Sequence, residues 1–230
     1  MSTLGELKTR ARRKVDAVGN NFFTDEEVSD YINNGLAELY DILVMKYEDY
    51  FVSSVSFSLV SDQSTYEFSA ISLENFYKLL GVDAIQGSDA VRVKRSQFSD
   101  RNIFKNDEGR YNHRGYANYE YAIRGNSIEF LPDPTATDTI KVYYIPQFTK
   151  LTNDSDPVDS RIMINWEEYA VIVAAIKMRH KEETSTTALE RDLERVRALI
   201  EEAAGNRDAA EPMGITDELS GVLPYHRWGF

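Results

Sequence analysis

Hydrophobic positions along the chain change their period several times, and each change marks a boundary between elements. Leu4, Leu7, Ala11, Val15 and Val18 recur at spacings of three and four, which predicts a helix over 3–17 with one apolar face. Lys8, Arg10, Arg12, Arg13 and Lys14 occupy the other face. Gly19-Asn20-Asn21 is its predicted stop, because Gly and Asn tolerate the left-handed cap conformation. A second helix is predicted over 24–47. Thr24 and Glu27 have capping-box spacing, and Phe23 and Val28 suit a hydrophobic staple around the cap. Val28, Tyr31, Ile32, Gly35, Leu36, Leu39, Tyr40 and Leu43 then line one side.

At Phe51 the period becomes two. Phe51, Ser53, Val55, Phe57 and Leu59 fall on one face of a half-buried strand. Ser61–Ser64 turn the chain into a partner strand around Tyr66–Phe68. Phe76–Ile85 is apolar enough for a strand, with its register obscured at Leu79-Leu80-Gly81, and Ala90–Lys94 is another. Ser96–Ala117 has no period and reads as a loop. A hairpin follows, Tyr119, Tyr121 and Ile123 alternating before the Gly125-Asn126 turn and Ile128 and Phe130 after it. Pro132-Asp133-Pro134 breaks that strand, and Ile140, Val142 and Tyr144 form the next. These segments predict one antiparallel β-region over 51–146.

Helical period returns after the loop Asn153–Asp159. Asn165 and Glu168 have cap spacing, with Ser160 as an earlier alternative start. Tyr169–Ile176 is apolar on every side, so this helix is buried on more than one face. Thr187 and Glu190 are the predicted cap of a last helix, whose Leu189, Leu193, Val196, Ile200 and Ala203 make a narrow seam that ends at Gly205. The remaining residues are aperiodic and close on Leu223, Tyr225, Trp228 and Phe230. The predicted fold is α+β: a discontinuous helical bundle from 1–50 and 160–204, an antiparallel β insert over 51–150 with a polar basic loop at 96–117, and an extended C-terminal tail over 205–230.

Charge alters this picture in one respect. Lys and Arg total 26 against 38 Asp and Glu, a formal net charge of −12, which argues against a nucleic-acid coat or a binder of anionic membranes. The balance is uneven, however. Arg92 to Arg114 holds seven Lys/Arg against three Asp/Glu, including Arg95, Arg101, Arg110 and Arg114. That segment reads as a loop ordered by an acidic partner, such as another copy of the chain, with phosphate contact as the alternative. There are no cysteines, so disulfides, thiolate zinc sites and a cysteine nucleophile are out. The longest apolar run, Tyr169–Ile176, falls far short of the roughly 20 residues that span a bilayer. Met1–Lys14 is basic without an apolar stretch, unlike a secretory signal. The expectation is a soluble protein made in the cytoplasm.

Candidate chemistry is sparse. No phosphate-cradling glycine loop, nucleophile elbow or metal-binding His-Glu-x-x-His pair occurs, and His113, His180 and His226 lack ligand spacing. Asp154, Asp156 and Asp159 suggest a calcium loop, but Val158, Asp159 and Asn165 stand where that pattern needs an oxygen ligand, Gly and Glu. The adjacent carboxylate pairs, such as Glu167-Glu168 and Glu182-Glu183, diverge by about 100° on a helix and read as solvated faces. No metal, cofactor or catalytic residue is assigned. A helix-turn-helix reading fails because the second helix carries Asp25, Glu26, Glu27, Asp30, Glu38 and Asp41.

Three stretches, in order, resemble the head-to-tail adaptor (connector) proteins of tailed bacteriophages. The first is Leu4-x-x-Leu7 with Phe23-Thr24-Asp25-Glu26-Glu27-Val28-x-x-Tyr31-Ile32-Asn33-x-Gly35-x-x-Glu38-Leu39. The second is Ile128-Glu129-Phe130-Leu131-Pro132-x-Pro134 with Ile140-Lys141-Val142-x-Tyr144-x-Pro146. The third is Trp166-Glu167-Glu168-Tyr169-Ala170 with the charged helix behind it. The resemblance implies a non-enzymatic virion protein of the neck, a ring of about a dozen copies beneath the portal protein. Such a ring receives a tail or nozzle protein and passes double-stranded DNA without sequence recognition.

On that reading Leu223, Tyr225, Trp228 and Phe230 are portal-docking anchors; the other possibility is a tail folded back on its own domain. Arg12, Arg13, Arg95, Arg101, Arg110, Arg114, Tyr169, Ile172 and Ile176 are candidate subunit contacts. The carboxylates of 187–204 and Glu182-Glu183 are candidates for an anionic channel wall. The alternative function is a small tail-associated hydrolase using dispersed carboxylates. A third, a monomeric DNA-binding accessory, is disfavoured by the charge.

Overall fold

Thr3 and Thr24 start the first two helices in the same way, α1 (Leu4–Lys14) and α2 (Asp25–Lys46). In each, the threonine hydroxyl accepts the third helical amide, and Glu6 or Glu27 at that position reaches back to the threonine N–H. Both are capping boxes, of which only the second was predicted. α1 is shorter than the predicted 3–17. Asp16 takes φ 57°, Ala17 donates to the Arg12 carbonyl at 2.9 Å and Asp16 to that of Arg13 at 3.3 Å. This paired closure ends the helix ahead of Gly19. Buried Ala17 therefore takes the apolar position expected of Val18, which is 68% exposed.

The computed structural model describes residues 1–19, 22–73, 75–100, 116–134, 137–163 and 165–205. Among them, seven strands form one sheet: β1 (Ser53–Ser58), β2 (Thr65–Glu67), β3 (Phe76–Gln86), β4 (Asp89–Arg95), β5 (Tyr116–Arg124), β6 (Ser127–Leu131) and β7 (Thr139–Pro146). Their order is β1-β7-β3-β4-β5-β6-β2. Most pairs are antiparallel, as predicted, but β4 and β5 run parallel, so the sheet is mixed. The chain between them, 96–115, is long enough for the crossover that a parallel pair requires. Tyr116 and Ala117, expected in the loop, belong to β5. The ambiguous register at Leu79-Leu80-Gly81 is a real irregularity, with β3 slipping against β7 between Leu79 and Gly81.

Chain length forces this sheet to curl. β1 and β2 stand at opposite edges yet are joined only by 59–64. Seven flat strands would set them about 29 Å apart, beyond the roughly 25 Å that such a link reaches when fully stretched. The edges instead approach each other: the rings of Phe57 on β1 and Tyr66 on β2 lie 5.2 Å apart. The Tyr66 hydroxyl accepts the Val60 N–H at 2.7 Å, closing the gap with a side chain.

Two more helices follow, α3 (Glu167–Lys181) and α4 (Thr187–Gly205). α3 does not use the predicted Asn165–Glu168 cap and does not start near Ser160. Trp166 precedes its first turn and makes no side-chain cap bond; ahead of it the Ile162 N–H donates to the Asp159 carbonyl and the Trp166 N–H to the Met163 carbonyl, each at 2.9 Å. At α4, Thr187 is already helical, and the hydroxyl of Thr186 donates to Glu190 at 2.6 Å. The seam on α4 ends on Ala204, which is buried, and not on exposed Ala203. Two hydrophobic clusters result. One gathers α1–α4 with Phe51, Ile145, Val158 and Ile162. The other fills the curl of the sheet with Val82, Val93, Tyr119, Ile128, Phe130, Ile140 and Val142.

Candidate functional surfaces

The charged face of α1 is spent on holding the chain together. Arg10 reaches Glu168 at 2.7 Å and the buried Glu167 at 3.4 Å, and Lys14 also binds Glu168. Buried Lys8 meets Asp154 at 2.7 Å. Arg12 meets Asp25 and the Phe23 carbonyl, each at 2.9 Å. Burial pushes the Glu168 carboxyl up, but hydrogen bonds from Lys14 and Arg10 prevail and hold it below its ordinary range. Arg13 alone of the five cations on this face is exposed.

The loop at 152–159 is the other fastening, which explains its aspartates. The first two amides of α1, Leu4 and Gly5, donate to the carbonyls of Asp156 and Asp154 at 3.0 Å, so the loop satisfies groups a helix start leaves open. The Asp156 carboxylate turns back on the Asn153 and Thr152 amides at 2.8 Å, and these bonds lower its pKa, Asn153 first. Asp159 grips Arg161 through both carboxylate oxygens. Three aspartates thus serve three separate sets of partners, Asp154 with Lys8, Asp156 with Thr152 and Asn153, and Asp159 with Arg161.

Two residues from the adaptor-like stretches fix the approach of α2. Gly35 lies against α3 so closely that an added Cβ would sit 2.7 Å from the Cα of Ala170; no larger residue fits without moving a helix. Asn33 is buried, donates to the Ser29 and Leu151 carbonyls at 2.8 and 3.0 Å, and accepts the Leu151 N–H at 2.8 Å. It pins the segment following β7 to α2. At the join with the sheet, the Tyr40 hydroxyl donates to the Pro146 carbonyl at 2.6 Å. Its ring meets Phe51 edge-on at 4.9 Å, and the Arg161 guanidinium stands over the Phe51 ring at 5.2 Å.

The candidate contact residues fall into three groups. Arg12, Tyr169 and Ile172 are engaged within the chain: Tyr169 and Ile172 are 4% and 1% exposed, so packing inside this chain already accounts for the all-round apolar helix. Arg13 and Arg95 are exposed and Ile176 is half-buried, leaving them available to a neighbour. Arg101, Arg110, Arg114, Leu223, Tyr225, Trp228 and Phe230 lie outside the described residues. Sequence reasoning missed Asn33 as a clamp and Arg161 as a brace. Thr3-x-x-Glu6 was a legible signal; Asn33 had none beyond its place in the resemblance, because its partner is 118 residues away.

No constellation for catalysis is assembled among the described residues. An open cleft beside β7, bounded by Ser69, Asn75, Tyr144 and Gln147, has no carboxylate, histidine, lysine or arginine in its lining. No group of three or more His, Cys, Asp or Glu is placed to hold a metal among the described residues. No helix among them is long and apolar enough to cross a membrane. The carboxylates most clearly perturbed, Glu27, Asp156, Asp159, Glu168 and Glu201, are lowered by bonds to neighbours, the opposite of what a general acid needs.

No curated protein matches the chain. The family model for SU10 adaptor protein matches residues 2–215, which takes in all four helices and all seven strands described above and ends before Leu223. With that match over nearly its whole length, the chain belongs to the SU10 adaptor protein family of phage head-to-tail adaptors.

Proposed function

We propose that this adaptor is a structural, non-catalytic subunit of a ring at the neck of the virion. The ring sits beneath the portal protein, receives a tail or nozzle protein, and leaves a channel through which double-stranded DNA passes without sequence recognition. The observation that carries this reading is the family match across 2–215. The ionisable groups agree with it, since those of α1, α3 and the 152–159 loop fasten elements to one another and do not surround a cleft.

The two hydrophobic clusters support a division of labour. The helices of 1–50 and 160–204 form the body, with 51–150 inserted between them and 205–230 as a portal-docking tail. Leu223, Tyr225, Trp228 and Phe230 are its anchors. The family match stops at 215, ahead of these four residues. The channel wall draws on unpaired carboxylates of α4 and on Glu182-Glu183. Part of the α4 charge is already neutralised, Glu201 by Lys46 and Arg197 and Asp192 by Arg195.

Mass measurement of the purified protein, alone and mixed with portal, tests the reading. A ring-sized species, formed spontaneously or on adding portal, is expected. A monomer that persists in the presence of portal overturns it. Deletion of 206–230 is expected to abolish portal docking with the circular-dichroism spectrum of the folded domain retained, and unchanged docking refutes the anchors.

A further inference from the structure

The β4–β5 corner carries cations and unmet donors on a chain whose net charge is −12. Arg92, Lys94 and Arg95 are all exposed on β4. Arg95 pairs in register with Tyr121, and the next residue, Ser96, donates its N–H to the Tyr121 carbonyl at 2.7 Å. Arg95 and Arg92 act on the buried Tyr121 hydroxyl, offsetting part of the upward push that burial gives it. Three residues further along β5, Arg124 binds Glu129 at 2.7 Å through one terminal nitrogen and lies beneath the Phe98 ring.

Two buried side-chain atoms among the described residues have no hydrogen-bond partner, and both are here: Ser96 Oγ and Arg124 Nε. Ser96 is only 7% exposed. A buried donor left unmet is costly, and an acceptor, ideally an anionic one, would satisfy both groups. Among the described residues, Glu120 is engaged by Lys94 at 3.6 Å and Glu129 by Arg124.

We propose that the corner formed by Arg92, Arg95, Ser96 and Arg124 is a docking site for carboxylate side chains of a second copy of this chain. Charge complementarity selects that occupant: the corner is cationic, while a neighbouring copy presents an excess of 12 negative charges. This rests on the ring reading above and names the surface through which neighbouring copies meet.

The double variant Arg92→Glu/Arg95→Glu tests it, because both residues are exposed and their replacement leaves the core intact. Mass measurement with portal is expected to show at least a tenfold smaller ring population than wild type at unchanged melting temperature. Ser96→Ala is expected to reduce it several-fold. In assemblies mixed from isotopically light and heavy copies, carbodiimide coupling is expected to join Lys94 to a carboxylate of the other copy. Rings that form normally from the double variant overturn the proposal while the ring reading stands, as do Lys94 cross-links confined to one copy. A variant that assembles normally but loses binding to a short DNA duplex shows that the corner holds phosphate, and also overturns it. A wild-type protein that never forms a ring removes both readings together.

Discussion

The helical cluster and the sheet cluster are held by different forces. Around α1–α4 the decisive contacts are polar and long-range: Arg10 and Lys14 on Glu168, Lys8 on Asp154, Asn33 on Leu151. The curl of the sheet is closed by rings, with Phe57, Tyr66 and Tyr119 all packed on Phe130 within 6.3 Å. Among the described residues, the carboxylates clearly held below their ordinary range belong to the helices or the loop at 152–159, and none lies on a strand. Segments far apart in sequence are assembled by directional bonds that fix one arrangement. In the sheet the backbone ladder itself fixes the arrangement, even between distant strands such as β1 and β7, and the rings supply a shared apolar filling.

The largest effect is expected from removing that filling. Phe130→Ala deletes a fully buried ring at the meeting point of three others and should cost about 3–5 kcal/mol in denaturant unfolding. A loss below about 1 kcal/mol would show that the rings are not a common core. A pair of glycine substitutions separates the regions next. Gly35→Ala drives a methyl group to 2.7 Å from the α3 backbone and should cost about 1–3 kcal/mol through overpacking. Gly81→Ala, on β3 with nothing within 4 Å of the new atom, should be close to neutral. Equal costs at the two sites would erase the distinction between a tight helix contact and an open sheet position.

Acid should divide the regions without any mutation. Glu168 has a folded pKa below its ordinary 4.5, so the unfolded chain binds its proton more readily. Its stabilising contribution is present above 4.5 and is lost as pH falls through the folded value. Asp159 follows the same sign around 3.8, with burial opposing and the Arg161 bonds prevailing. Amide protection, taken relative to the intrinsic exchange rate at each pH, should therefore fall in acid in α1 and α3 before it falls in β6 and β7. A uniform loss of protection across both would contradict the comparison. Base acts on both regions, because burial raises Tyr40 and Tyr169 in the helices and Tyr119 and Tyr121 in the sheet. The unfolded tyrosines ionise first, so that stability declines as pH rises past 10.

Periodicity made the elements legible, since a face of α2 or the alternation in β1 depends only on near neighbours. The α+β class, the capping box at Thr24 and the Gly125-Asn126 hairpin follow from such local signals. The parallel β4–β5 pair did not, because strand direction is set by where a long connection returns and no residue in either strand encodes it. The spread of basic residues on α1 was visible, but its use was not: partners such as Glu168 lie 154 residues beyond Lys14. The same limit hid Asn33. The polar corner at Ser96 and Arg124 needed geometry, since an unmet donor is defined by what surrounds it.

The smallest expected effect concerns how the helices stop. Both α1 and α3 end in the paired closure that puts one residue in the left-handed region, Asp16 at φ 57° and Glu183 at φ 55°. At α3, Thr184 donates to the Arg179 carbonyl and Glu183 to that of His180, each at 3.1 Å. A side chain in this conformation costs roughly 1–2 kcal/mol, whereas glycine adopts it freely but loses more entropy on folding. Glu183→Gly should therefore gain about 0.5–1 kcal/mol net. Asp16→Gly should gain less, because aspartate tolerates the left-handed region better than glutamate does. Chemical denaturation of the two variants side by side measures the ranking. A destabilised Glu183→Gly would mean that the exposed glutamate contributes a contact to the helical region that its backbone strain conceals.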